Sequence, residues 1–356
     1  MTAQTQLHPA AHSTEPREAR RPAASPQPAA RGREPFFLIT IDTEGDNQWG
    51  RQQTTTTRNA EFLTRFQALC EMYGLRPTYL TNYEMALSPV FQEFGRDVVR
   101  RGAGEIGMHL HPWNSPPGKP LTSNDNLHHP YLIEFPIEVM QEKIRFLTDL
   151  LQETFDTPMR SHRAGRWAID ERYARLLVRA GYCVDCSVTP GITWARFKGA
   201  PQGRGGRDYT DFPRTCYLVD PEDIGRPGHS TLVEVPATVV PDRRLLTRVS
   251  RRLARRLPIK LLRQAGRRVQ WLRPNGSNRR FLLEVLDDPV VVEAGYAEFM
   301  LHSSEFMPGG SPKFPTPASI EALYDDLEVL FARAADRFRG ATLTEFHDAV
   351  LTVEPG

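Results

Sequence analysis

Short apolar runs alternate along the chain with longer stretches of helical periodicity. Phe36-Phe37-Leu38-Ile39-Thr40-Ile41 is an unbroken apolar run of strand length and reads as a buried strand. Residues 59–73 carry helical spacing, and Gly74 supplies a C-terminal stop. Residues 75–80 and 105–111 read as strands. Between them lies a helix over 88–101, opened by Ser88-Pro89. The alternation continues with a helix over 136–154, an extended stretch over 158–163, a helix over 170–180 and an extended stretch over 182–188. A loop-rich region covers 190–230. Residues 231–236 and 297–302 read as strands, and 317–338 as a helix. Strands alternating with helices of this length predict βαβ units and a mostly parallel sheet or barrel. No internal repeat is visible.

Composition changes this picture in three places. With 356 residues, 40% hydrophobic and 25% charged, the chain can bury a sizeable core in one large domain or two small ones. Residues 1–34 are rich in Pro, Ala, Arg and Ser, with almost no large apolar residues, and read as a disordered tail. They lack the apolar core of a signal peptide, and no apolar run reaches membrane-spanning length, so the expected location is cytoplasmic. Four cysteines are too few for a disulfide scaffold and suit a reducing compartment. A net charge of +2 gives no global field toward nucleic acid. One segment departs from that balance: Arg243 to Arg280 holds about fourteen Lys/Arg and no acid, with Leu245, Val249, Leu253 and Leu257 on one helical face. It reads either as a solvated insertion or as a basic hairpin for an anionic membrane surface or polyanionic glycan, which would place the protein at the inner membrane face.

The chemistry gathers at strand ends, where sites form in parallel α/β folds. Asp42, Glu44 and Asp46 follow directly on the first buried strand. Asp42 and Glu44 are two apart and point the same way on an extended chain. Two such carboxylates repel unless a cation or proton relieves them. His109 and His111 share one face of another strand end, a spacing from which both imidazoles reach one Zn²⁺. Arg163, in Ser161-His162-Arg163-Ala164-Gly165-Arg166-Trp167, suits pairing with a carboxylate held ionised. His302 ends a late strand and is a candidate general acid.

The order of these motifs resembles the polysaccharide deacetylases with a NodB homology domain, carbohydrate esterase family 4, and within them a WalW-like sub-group. The motifs are Thr40-Ile41-Asp42, Glu105-Ile106-Gly107-Met108-His109, Arg163-Ala164-Gly165 and Leu301-His302. The resemblance spans roughly residues 35–350. It implies a deformed (β/α)7 barrel over 35–356 as the catalytic domain, with the basic stretch near 240–280 as an insertion. It implies Asp42 as the base, with Glu44 as metal ligand because Thr43 stands where the family has its second Asp. His109 matches the first motif histidine. Trp113 stands where the family has the second, so His111 becomes the substitute ligand, with His128 or His129 as alternatives. Arg163 matches the arginine that orients the base, Asp185 resembles the fourth motif's aspartate, and His302 matches the catalytic acid. The implied cofactor is a divalent metal, zinc first and cobalt or manganese next. The implied activity is deacetylation of an N-acetylated sugar in a surface polysaccharide or its lipid-linked precursor. An inactive glycan-binding relative and a hydrolase of small amides are the rivals.

Other signals add little. Cys183-Val184-Asp185-Cys186 lacks the second pair or helix start that a zinc or redox site needs. Trp113, Arg166 and Trp167, with Trp194 nearby, follow strand ends and are candidate substrate-binding residues, their flat apolar faces suited to sugar rings. No dinucleotide fingerprint, phosphate loop or nucleophile elbow is present.

Overall fold

A computed structural model describes residues 34–46, 48, 55–199, 203, 205–242 and 269–351. Residues 1–33 of the expected tail and 243–268 of the basic segment lie outside the described residues.

The strands in chain order are β1 (Phe36–Thr43), β2 (Pro77–Thr81), β3 (Glu105–Leu110), β4 (Ser161–Ala164), β5 (Val184–Asp185), β6 (Tyr217–Asp220), β7 (Asp223–Pro227), β8 (Val233–Glu234), β9 (Val239–Pro241), β10 (Val269–Trp271), β11 (Tyr296–His302) and β12 (Arg339–Ala341). The main sheet runs β11-β1-β2-β3-β4-β5-β8-β6-β7, with β12 added against the start of β1. From β11 to β8 every pairing is parallel, which makes the curled wall of a deformed barrel. β8 and β11 do not pair directly. The seam is bridged by side chains and single backbone contacts: Glu298 N donates to Thr238 Oγ1 at 2.8 Å, and Tyr296 OH to the Pro236 carbonyl at 2.9 Å.

The sequence pattern explains this wall. All but the first residue of β1 is buried, as expected of a strand with the barrel interior on one face and helices on the other. Helix Ile137–Phe155 buries Met140, Ile144, Leu147, Leu151 and Phe155, a single stripe at helical spacing. Each such side chain contributes roughly 1.5–3 kcal/mol on burial. Phe37 meets Phe299, Phe331 and Phe338 at centroid distances of 6.4, 6.0 and 6.1 Å, locking β1 and β11 to helix Pro317–Ala335. Gly74, at φ 66°, takes the left-handed position after helix Leu63–Met72.

The expected loop over 190–230 is partly wrong, because β6 and β7 form an antiparallel hairpin there. Gly225 and Pro227 in β7 hid it. The extended stretches at 182–188 and 231–236 shrink to the two-residue β5 and β8. Helices Arg279–Val285, Pro289–Ala294 and Leu343–Leu351 were not anticipated. No helix among the described residues is long and apolar enough to cross a membrane.

Candidate functional site

Parallel register brings the strand-end residues to one rim. Asp42 is the Cα partner of His302, and His109 that of Arg163. The rim opens into a cleft of about 400 Å³, lined by Asp42, Glu44, His109, His111, His302 and a set of aromatic residues.

Glu44, His109 and His111 place one potential ligand atom each within 4.8 Å of one another, the group among the described residues able to hold a metal ion. Glu44 Oε2 lies 2.9 Å from His111 Nε2 and 3.6 Å from His109 Nε2. His109 Nδ1 lies 2.9 Å from the Arg163 carbonyl, which only accepts. Nδ1 is therefore a donor, which leaves Nε2, the atom facing Glu44, as the one able to ligate. His111 Nδ1 is buried with no hydrogen-bond partner among the described residues. These donors fit a divalent cation. Gly165 makes room for them, since a Cβ there would sit 2.5 Å from His111 Nδ1 and from the Leu110 carbonyl.

The charges agree with that reading. Burial would raise the Glu44 carboxyl, but the adjacent His109 and His111 rings outweigh it and hold it well below the usual range. Burial takes His111 down to about 4, so the ring is neutral at neutral pH and free to ligate. Burial also acts to lower His109, but the Asp42 and Glu44 carboxylates outweigh it, so positive charge is favoured at Nε2, as a proton or as a cation that replaces it.

Asp42 has a different environment. Arg163 Nη1 donates to its Oδ1 at 2.7 Å, leaving Oδ2 toward the cleft, 3.7 Å from His302 Nε2. Burial would raise the Asp42 carboxyl; the Arg163 guanidinium, with His109 and His302, outweighs it and keeps it ionised. Arg163 is fully buried and also donates to Glu298 Oε1 at 2.6 Å, Thr40 Oγ1 at 2.9 Å and the Cys186 carbonyl at 3.1 Å. Its guanidinium lies over the Trp167 ring at 4.6 Å.

His302 is held from behind. Glu305 Oε2 accepts from the His302 backbone N at 3.0 Å and lies 3.3 Å from its Nδ1, while Arg273 Nη2 donates to the same oxygen at 2.7 Å. Burial would raise the Glu305 carboxyl, but Arg273 and His302 outweigh it and take it down to about 2. Neither Glu305 nor Arg273 was anticipated. The available signal was His302-Ser303-Ser304-Glu305, a spacing of three that the short helical turn Ser303–Phe306 brings round onto the histidine.

The structure brings together Asp42, Glu44, His109, His111, Arg163 and His302. It does not bring Asp185 to them. His162 and Arg163 are adjacent on β4, so they point to opposite faces. Asp185 sits on the His162 side, its Oδ1 2.6 Å from His162 Nδ1, and His162 Nε2 meets Tyr173 OH at 2.8 Å on the outer layer. Asp185, expected among the catalytic residues, is a buried partner of His162 and does not line the cleft. Asp46 caps the turn Arg58–Phe62 through the backbone N of Arg58 and Asn59, at 3.1 and 2.9 Å. His128 and His129 do not join the cluster. Trp113, Arg166 and Trp167 all line the cleft, with Trp194, Tyr131 and Phe197. Trp113 packs on His111 at 4.3 Å between centroids, its ring tilted by 38°.

The chain is similar, over 88% of its length and 71% of the other's, to a structure from Parabacteroides distasonis assigned as a glycoside hydrolase/deacetylase, with TM-score 0.56 and 10% identity. The fold is the deformed barrel of the polysaccharide-deacetylase type. A protein from Mycobacterium smegmatis assigned as a polysaccharide deacetylase gives TM-score 0.49 at 12% identity, over 94% of this chain and 99% of that one. A carbohydrate esterase family 4 pseudoenzyme from Bacillus anthracis gives 0.40 at 10% identity, over 88% and 66%. No protein-family profile and no curated protein matches the chain. At these identities the likeness is one of fold, and the chemistry of this deacetylase-type barrel rests on its own residues.

Proposed function

We propose that the protein is a metal-dependent N-deacetylase acting on an N-acetylated sugar of a surface polysaccharide or its lipid-linked precursor. The observation that carries this reading is one rim holding three separated functions: a ligand cluster, an ionised carboxylate outside that cluster, and a histidine facing both. Glu44, His109 and His111 would hold a divalent cation, zinc before cobalt or manganese, which would supply Lewis acidity when bound.

The remaining steps belong to the chain. Asp42 accepts the proton of the attacking water on Oδ2, because Oδ1 is occupied by Arg163. As the new C–O bond replaces the C–N bond, His302 Nε2 gives a proton to the departing amine. Glu305 holds His302 in place. Trp113, Trp167 and Trp194 line the cleft with apolar surface for the sugar and keep water from the reacting centre.

The substrate class is tested by comparing acetate release from N-acetylhexosamine oligomers with ring opening of small cyclic amides, both at one equivalent of added Zn²⁺. The expected result is turnover of the oligomers alone. Turnover of the cyclic amides alone would make the protein a C–N hydrolase of another class. The WalW-like assignment, the cytoplasmic location and a membrane role for the basic segment belong to the same proposal.

A further inference from the structure

The cleft contains one arginine that forms no direct ion pair with its walls. Asp42 is paired with Arg163, Arg273 with Glu305, and Glu44 faces His109 and His111. Arg166 also lines the cleft, and among the described residues it makes no ion pair. Its polar contact is a neutral one, Nη2 donating to Asn126 Oδ1 at 3.1 Å.

An exposed arginine needs no partner merely to be solvated. What sets Arg166 apart is that it is held in place. Its backbone is left-handed, at φ 55° and ψ 28°, and Trp167 follows at φ 60°. Two consecutive non-glycine residues in that region are strained, and such strain gathers at ligand sites. The guanidinium lies 5.2 Å over the Trp113 ring, and Trp113 in turn packs on the candidate ligand His111. The cation is thus fixed one aromatic ring from the proposed reaction centre.

We propose that the sugar taken by this cleft carries an anionic group, a carboxylate or a phosphate, which binds Arg166 while the neighbouring acyl group faces Glu44, His109 and His111. This rests on the deacetylase reading for the position of the acyl group and goes beyond it in naming the charge of the substrate. A planar guanidinium suits either anion, through paired N–H donors.

The test compares three probes on wild type, Arg166→Lys and Arg166→Gln: a neutral N-acetylglucosamine oligomer, an oligomer alternating N-acetylglucosamine with glucuronate, and N-acetylglucosamine 1-phosphate. Binding is read by intrinsic tryptophan fluorescence and turnover by acetate release. Wild type should bind at least one anionic probe about tenfold more tightly than the neutral one, the scale of a charge-assisted hydrogen bond. Arg166→Gln should bring that ratio close to one, and Arg166→Lys should recover part of it. Preference for the glucuronate probe places the charge on a sugar carboxylate, and preference for the phosphate probe on a phosphate. An equal ratio in wild type and Arg166→Gln, or a wild-type preference for the neutral oligomer, overturns the proposal. The two readings separate cleanly, because an absence of acetate release from all probes defeats the deacetylase reading while the binding ratios still decide the charge.

Discussion

Asp42→Asn should reduce turnover by about 10²–10⁴-fold, the usual contribution of a positioned base, while the purified variant keeps its full complement of metal. The geometry separates the two roles. Asp42 is not part of the cluster formed by Glu44, His109 and His111. Asparagine retains an oxygen for the Arg163 Nη1 donor at 2.7 Å, so the local structure survives, but it has no basic oxygen to turn toward the water. KM should change little, because Asp42 acts on the attacking water and not on the sugar. Metal content, measured by elemental analysis beside kcat, decides the assignment. A variant that loses both metal and activity would show Asp42 to be a ligand.

Arg163→Met should destabilise the fold by about 3–5 kcal/mol, the cost of breaking a buried ion pair from one side. Arg163 is fully buried and holds two buried carboxylates, Asp42 at 2.7 Å and Glu298 at 2.6 Å, on the neighbouring strands β1 and β11. Methionine fills similar space but leaves both acids without their cation. One of them must then take up a proton or admit water. Arg163→Lys should recover only part of the loss, since an ammonium cannot reach Asp42, Glu298, Thr40 and the Cys186 carbonyl together as the guanidinium does. Denaturant midpoints compared at neutral pH check this. A loss below about 1 kcal/mol would mean that the network relaxes and that Arg163 acts only on Asp42.

The strand-end residues were legible in the sequence because each motif follows an apolar run whose direction is unambiguous. Asp42 and His302 end the two strands with the clearest patterns, and parallel pairing then sets them side by side. Asp185 was misplaced because β5 is only two residues long, too short for alternation to assign its face. Adjacent residues on β4 resolve it, since a cleft-facing Arg163 turns His162, and with it Asp185, outward. Glu305 was hidden because its contact depends on a turn, not on a strand. Arg273 was hidden inside a charge run that reads as one basic block. Glu298 carried a usable signal, an acid in the middle of the buried strand β11, which a satisfied core requires to have a cation nearby.

The central claim is that a divalent metal at Glu44, His109 and His111 is needed for deacetylation. The direct measurement strips the purified protein with a chelator, then titrates Zn²⁺, Co²⁺ or Mn²⁺ back while following bound metal and acetate release from an N-acetylhexosamine oligomer. Activity should fall to background on stripping and return as one equivalent of metal binds per chain. Acetate release that persists without metal, or a protein that takes up none, would contradict the claim.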